Sequence, residues 1–263
     1  MSHIAFLASV AAFLAAPAAA APELRPPTGK WVIDYAEHQC TASRAFGTAN
    51  KPLHFVIKPS PGGEVTKIAL IENGPRFEGF QEDATIELEG PQKLRTTQLA
   101  YGLSKKHFRL INLDNVQTAA LGRSSSIRWG NDALDLGPMA QVMKVLEDCR
   151  RDLRRYWNIG PELSGKLTSG PKPERPLVSY FSSDDYPSQA LSRNQQGTTA
   201  FVLLIDEKGL IRDCMVEKTS GIATLDIMAC LVIVKRAKFS PALDAGGKPT
   251  RDAYFQRIKW MMP

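Results

Sequence analysis

Residues 199–205 (TAFVLLI) form a β-rich apolar run, and the pattern just after that run constrains the fold more than anything else in the chain. Asp206-Glu207-Lys208-Gly209 comes next, with glycine where a tight turn tolerates positive φ. Residues 210–218 therefore return beside the run as the second arm of a hairpin. Ser220-Gly221 breaks that strand. A helix is expected over residues 225–237 (LDIMACLVIVKRA), with Thr224 as N-cap and Asp226 near the positive end of its dipole. It is apolar nearly all round, so it should be sandwiched between other elements. Phe239, Pro241 and Ala242 form an exit loop, and residues 252–261 a final strand. A short helical stretch opened by Tyr186-Pro187 and stopped by Gly197 precedes the run. The order over residues 178–263 is helix, strand, strand, helix, strand. Such a segment closes as a three-stranded antiparallel sheet packed on a helix.

The rest of the chain has a different texture. Strand-like segments recur at residues 31–35, 53–58, 66–71, 84–88, 96–101, 108–112 and 125–129. Turn signals such as Pro59-Ser60-Pro61-Gly62-Gly63 and Asn73-Gly74-Pro75 separate them. One long helix closes this unit, with Gly137 as N-cap and Pro138 as its first residue. Met139, Val142, Met143, Leu146, Cys149, Leu153 and Trp157 lie on a single apolar stripe. Residues 161–177, rich in Pro, Gly and Ser, read as a linker. The expected class is α+β, with a β-rich antiparallel domain at 29–160 ahead of the small module at 178–263.

Residues 4–16 (IAFLASVAAFLAA) make an apolar run too short to cross a bilayer comfortably, followed by small residues that suit cleavage. Residues 1–21 read as a secretory signal peptide, which places the mature chain in the periplasm. The alternative is an uncleaved inner-membrane anchor facing the same compartment; only then does the membrane become a partner. The four cysteines, Cys40, Cys149, Cys214 and Cys230, include no C-x-x-C pair. An even number in an exported chain favours disulfides. Three connectivities are open; the division into domains makes Cys40–Cys149 and Cys214–Cys230 the local choice. His38-x-Cys40 offers two ligands, too few for a structural zinc site, and no metal or other cofactor is expected.

The formal net charge is +6, with one dense spot at Arg150, Arg151, Arg154 and Arg155. No recognition motif accompanies it, so nucleic acid is not an expected partner. The arginines suit the negative end of the long helix. No catalytic set is apparent. His38, His54 and His107 are scattered, and Ser124-Ser125-Ser126 lacks a G-x-S-x-G context. Asp34 precedes Tyr35, and Asp132 and Asp135 read as turn residues.

The ordered set Tyr186-Pro187, Gly197, Asp206 with Gly209, Ser220-Gly221, Leu225-Asp226, Phe239, Pro241-Ala242, Gly247 with Pro249, and Ile258-Lys259-Trp260 resembles the C-terminal domain of the TonB family. Members are the periplasmic ends of energy transducers that act on outer-membrane transporters. The resemblance implies a protein partner, an outer-membrane transporter or another envelope protein, gripped by adding an extended segment of it to the sheet edge. The strand implied is 252–261, with Ala253, Phe255, Arg257 and Lys259 on one face and Tyr254, Gln256, Ile258 and Trp260 on the other. Full transducers carry Ser and His at helical spacing in an uncleaved anchor, and a long Pro-rich spacer. Here Ser2-His3 are adjacent, and a domain of about 130 residues fills the spacer's place. Residues 31–46 look like the start of a domain that precedes such modules in some exported bacterial proteins. The expected role is therefore binding. The alternatives are energy coupling through an uncleaved anchor, an envelope structural protein contacting the cell surface through Arg150 to Arg155, and an enzyme in the first domain.

Overall fold

The computed structural model describes residues 23–88, 93–160 and 167–262. The expected signal peptide and the first part of the linker lie outside them. The first half builds one antiparallel sheet from β1 (Val32–Ala36), β2 (Gln39–Thr48), β3 (Lys51–Pro59), β4 (Val65–Asn73), β5 (Phe77–Leu88), β6 (Lys93–Leu103), β7 (Lys106–Asp114), β8 (Ser126–Trp129) and β9 (Asp132–Asp135). The strand order is β1-β2-β3-β4-β7-β6-β5-β8-β9. Helix α1 (Asn115–Arg123) follows β7, and α2 (Ala140–Tyr156) follows β9.

Alternation makes this sheet two-faced. Leu53, Phe55 and Ile57 of β3 are buried on one face with Ile68 and Leu70 of β4. The α2 stripe joins them, with Met139, Val142, Leu146, Cys149, Leu153 and Trp157 all buried in the same cluster. Cys149 lies on that stripe and is bonded to Cys40 of β2, closing a sequence separation of 109.

The structure adds β2, β9 and α1 to the expected elements. Strand β2 (QCTASRAFGT) has small and polar residues at most positions, so it carries little of the alternation that marks a strand. Helix α1 is held by a capping box: the Asp114 carboxylate accepts from the Gln117 N–H, and the Gln117 side chain accepts from the Asp114 N–H. Helix α2 starts at Ala140, after Pro138, because Gly137 takes φ +65° and Met139 becomes the N-cap. Residues expected as a loose spacer are also paired, through bridges from Arg25 to Leu134 and from Pro27 to Phe46.

The second half contains short strands β10 (Leu167–Ser169) and β11 (Lys172–Pro173), helix α3 (Ser188–Ser192), β12 (Gly197–Ile205), β13 (Ile211–Lys218) and helix α4 (Ala223–Arg236). The short β14 (Phe239–Ser240), β15 (Ala242–Asp244) and β16 (Pro249–Thr250) lead into β17 (Asp252–Trp260). Its main sheet has the order β13-β12-β17, all antiparallel. The described end of the linker is no free tether: β10 pairs with β15, and β11 with β14.

Strand β12 is buried on both faces, which is why its sequence is apolar without alternation. Phe201, Leu203 and Ile205 pack with Leu225, Ala229, Val232 and Ile233 of α4. Val202 and Leu204, with Met215 of β13, belong to the cluster that contains α2 and the first sheet. One apolar core thus runs from the first half into the second. Helix α4 contacts β12 and β13 and also β5, β6 and β7 of the first sheet, but it is less covered than expected, with Leu231 and Val234 55% and 50% exposed. The second disulfide joins Cys214 of β13 to Cys230 of α4 across a separation of 16.

Loop-closure entropy ranks the two bonds. Replacing Cys40 and Cys149 by alanine should lower stability by about 5 kcal/mol, and replacing Cys214 and Cys230 by about 3 kcal/mol. Urea unfolding of the two double variants checks the order. An isolated fragment 178–263 should expose Val202, Leu204 and Met215, and bind a hydrophobic dye that the full chain does not bind.

Candidate functional site: the outer strand of the second sheet

Strand β17 lies at the border of its sheet. It pairs only with β12, from Gly197↔Trp260 to Ile205↔Asp252, and no other described strand lies beyond it. That leaves a row of backbone groups facing outward. The register puts Ala253, Phe255, Arg257 and Lys259 on one face and Tyr254, Gln256, Ile258 and Trp260 on the other. Ile258 and Trp260 are buried against the α4 cluster, while Gln256, Arg257 and Lys259 are exposed and Phe255 is 51% exposed.

Several residues fix this strand. Trp260 lies between the rings of Phe181 and Tyr186, each met edge-on. Tyr254 meets Phe239 in the same way. Gly197, opposite Trp260, has no room for a side chain, since a Cβ there would sit 2.8 Å from Cβ of Ser220. Before the strand, Asn158 Nδ2 donates to the Arg251 carbonyl at 2.7 Å. After it, the Met262 N–H donates to Gln196 at 3.3 Å. Among the described residues, the first half touches the approach to β17 and no strand pairs with its outer edge.

The opposite border, β13, is tied to the first sheet. Lys58 Nζ donates to Asp213 at 2.8 Å. Buried Glu217 accepts from Ser60 Oγ and from the Gly62 N–H, each at 2.7 Å. Burial pushes the Glu217 carboxyl above its ordinary range, and those donors offset part of the rise.

The start of α4 is also held by the first sheet. The Ala223 N–H donates to Thr97 Oγ1 at 3.1 Å, and the Thr224 N–H to Gln81 Oε1 at 2.9 Å. Gln81 is itself held, its N–H donating to Gln189 and its amide to Gln195. Thr224 is thus not the N-cap; Ile222 occupies that position, and side chains from β5 and β6 accept from the helix's free N–H groups. Asp226 ties the segment before the helix to β12 by accepting from the Ser220 N–H and Thr199 Oγ1, each at 2.8 Å. Gln81, Thr97 and Glu217 carried no sequence signal, since each is one polar residue in a strand.

Other residues singled out in the sequence lie apart from this border. Asp132 pairs with Arg25 and Arg109, and Asp135 accepts from the Gly137 N–H. His107 is within 2.9 Å of the Pro75 carbonyl. Arg150, Arg151 and Arg155 each pair with a carboxylate three residues earlier, on Glu147, Asp148 and Asp152. Among the described residues no group of three or more His, Cys, Asp or Glu could hold a metal ion, and no helix is long and apolar enough to cross a membrane.

The second half is thus a small antiparallel sheet, backed on one face by a helix, whose last strand lies at a border of the sheet. Residues 182–262 match the family model for the Gram-negative bacterial TonB protein C-terminal, so the chain carries a TonB C-terminal domain there. The domain is a TonB-like protein-interaction module of the cell envelope. No curated protein matches the chain.

The site also contains a pH-sensitive group. Asp252 begins β17, is buried, and accepts from the Ala253 N–H; burial raises its pKa from 3.8 to about 6. The native state therefore holds the proton more tightly than the unfolded chain, so this group's contribution to stability is lost as pH rises from about 4 to 6. Asp252→Asn removes that loss. Its stability relative to the parent should rise across this window and then stay level, as measured by urea unfolding at a series of pH values.

Proposed function

We propose that the chain is an exported periplasmic protein that binds a protein partner, an outer-membrane transporter or another envelope protein, by adding an extended segment of it to β17. The observation that carries this reading is the open outer edge of β17, whose opposite side is committed to β12 along its whole length. Each backbone hydrogen bond gained there contributes about 1 kcal/mol net, so a paired segment of several residues gives useful affinity. The exposed face supplies selectivity. Phe255 offers an apolar contact, and Arg257 and Lys259 favour acidic residues on the incoming strand.

The covalent chemistry agrees with an oxidising compartment, since all four cysteines are disulfide-bonded. The role is binding rather than catalysis. A contact with anionic surfaces through the α2 arginines is less favoured, because three of the four already have carboxylate partners. Whether the mature chain is free or anchored depends on residues 1–21, and mass spectrometry of the mature N-terminus distinguishes the two.

The test uses the intact chain, because its core crosses both halves. Titration with peptides from the periplasm-facing N-termini of outer-membrane transporters should shift the amides of residues 253–259 selectively. Phe255→Glu should weaken the interaction about tenfold, the loss of ~1.4 kcal/mol. Unmoved amides along β17, in the presence of a peptide that binds elsewhere on the chain, contradict strand addition.

A further inference from the structure

The two disulfides differ in what can reach them. Cys40 and Cys149 are 1% and 2% exposed, inside the core that joins α2 to the first sheet. Cys214 and Cys230 are only partly buried. Both line a cleft of about 280 Å³ between the first sheet and the C-terminal module, with Thr96 and Thr97 of β6 and Asn112 of β7 on its other side.

The two half-cystines of that bond are not equivalent. Cys214 lies on β13, a border strand, so part of its exposed area is backbone. Cys230 lies in the middle of α4, where the backbone is hydrogen-bonded and sheathed by side chains. Its exposure therefore belongs to its Cβ and Sγ. Ile227, one turn earlier on the same face of the helix, lines the same cleft.

The bond also has a limited structural task. Strand β13 is fastened to the first sheet without it, through Lys58–Asp213 and through Glu217 with Ser60 and Gly62. Helix α4 is held at its start by Thr97 and Gln81. Its end is held by Arg236, which donates to the Asp185 carboxylate at 2.6 and 2.7 Å and to the Tyr180 carbonyl at 2.7 Å. Opening Cys214–Cys230 frees the middle of the helix from β13 and leaves both ends anchored. The β12–β17 pairing is not involved. The chain thus keeps its fold when the bond opens, which is what a reversible change at this place requires.

We propose that Cys214–Cys230 is a site of thiol–disulfide exchange in the folded protein, opened by a dithiol, while Cys40–Cys149 is a permanent structural bond. A thiolate of the dithiol attacks Cys230 Sγ and forms a new S–S bond there. The Cys214–Cys230 bond breaks, its electron pair leaves on Cys214 Sγ, and that thiolate takes a proton from water. The second thiol of the dithiol then displaces Cys230 from the mixed disulfide. The protein ends with two thiols and the dithiol with one disulfide, two electrons and two protons having passed to the protein. The site is separate from β17 and does not depend on strand addition there.

The test treats the intact chain with dithiothreitol under native conditions, quenches with iodoacetamide and locates the label by peptide mass spectrometry. Cys214 and Cys230 should label together, on the order of a hundredfold faster than Cys40 and Cys149, because a buried bond waits for an unfolded state populated at about one part in a thousand or less. Amides of residues 213–215 and 228–232 should shift while those of 253–259 stay in place. In the Cys214→Ala chain the remaining Cys230 thiol should take up glutathione from glutathione disulfide, and the Cys214 thiol of the Cys230→Ala chain should do so more slowly. The proposal is overturned if the two bonds of the parent open at the same rate, if opening of Cys214–Cys230 collapses the amide dispersion of the whole chain, or if Cys214 is the faster of the two single thiols.

Discussion

The first N–H groups of α4 have no acceptor within the helix, and the first sheet provides two of them. Thr97 and Gln81 reach from β6 and β5 to Ala223 and Thr224, so the helix that backs the second sheet is finished by residues over a hundred positions earlier. Much else depends on this attachment. Once α4 is held at its start, β12 beneath it presents Val202 and Leu204 to the core of the first half. β13 then comes within reach of Lys58 and Ser60. The two halves share one apolar core and one polar seam; β17 lies at the border away from the seam and packs Ala253 against the core.

The seam explains orientation more than strength. Glu217 and the Lys58–Asp213 pair are at least partly desolvated, and such groups add little net stability compared with apolar packing of similar size. Their effect is to penalise other alignments, because a shifted module leaves a buried carboxylate without donors. The same logic places the module's borders. One is spent on contacts inside the chain, and along the other no described strand pairs.

Much of the second half was legible in its sequence because its signals are local. The Asp206–Gly209 turn, the apolar run of β12 and the alternation of β17 each arise from a few adjacent residues, and Cys214–Cys230 was the local choice among the connectivities left open. The seam was not legible. Gln81 in β5 and Thr97 in β6 look like solvent-facing strand residues, and only the approach of another element reveals them as caps. Strand β2 was not legible either, because its buried residues are Cys40, Ala42 and Phe46, two of them small, spaced unevenly among polar neighbours. The exposed flank of α4 at Leu231 and Val234 had no signature, since apolar residues on a helix do not say how much of it will be covered.

Strand β12 sits between a neighbour that comes directly after it and another, β17, that arrives only after α4 and three short strands have been laid down. During folding the hairpin with β13 can form early and locally. The second pairing waits for distant residues, a slow step of high sequence separation. In that interval β12 presents one of the most apolar stretches of the chain as an unpaired strand, the situation in which chains associate wrongly. The vulnerable moment of this protein therefore falls late in folding, and a chaperone that shields incompletely folded chains has its most useful target in residues 197–205.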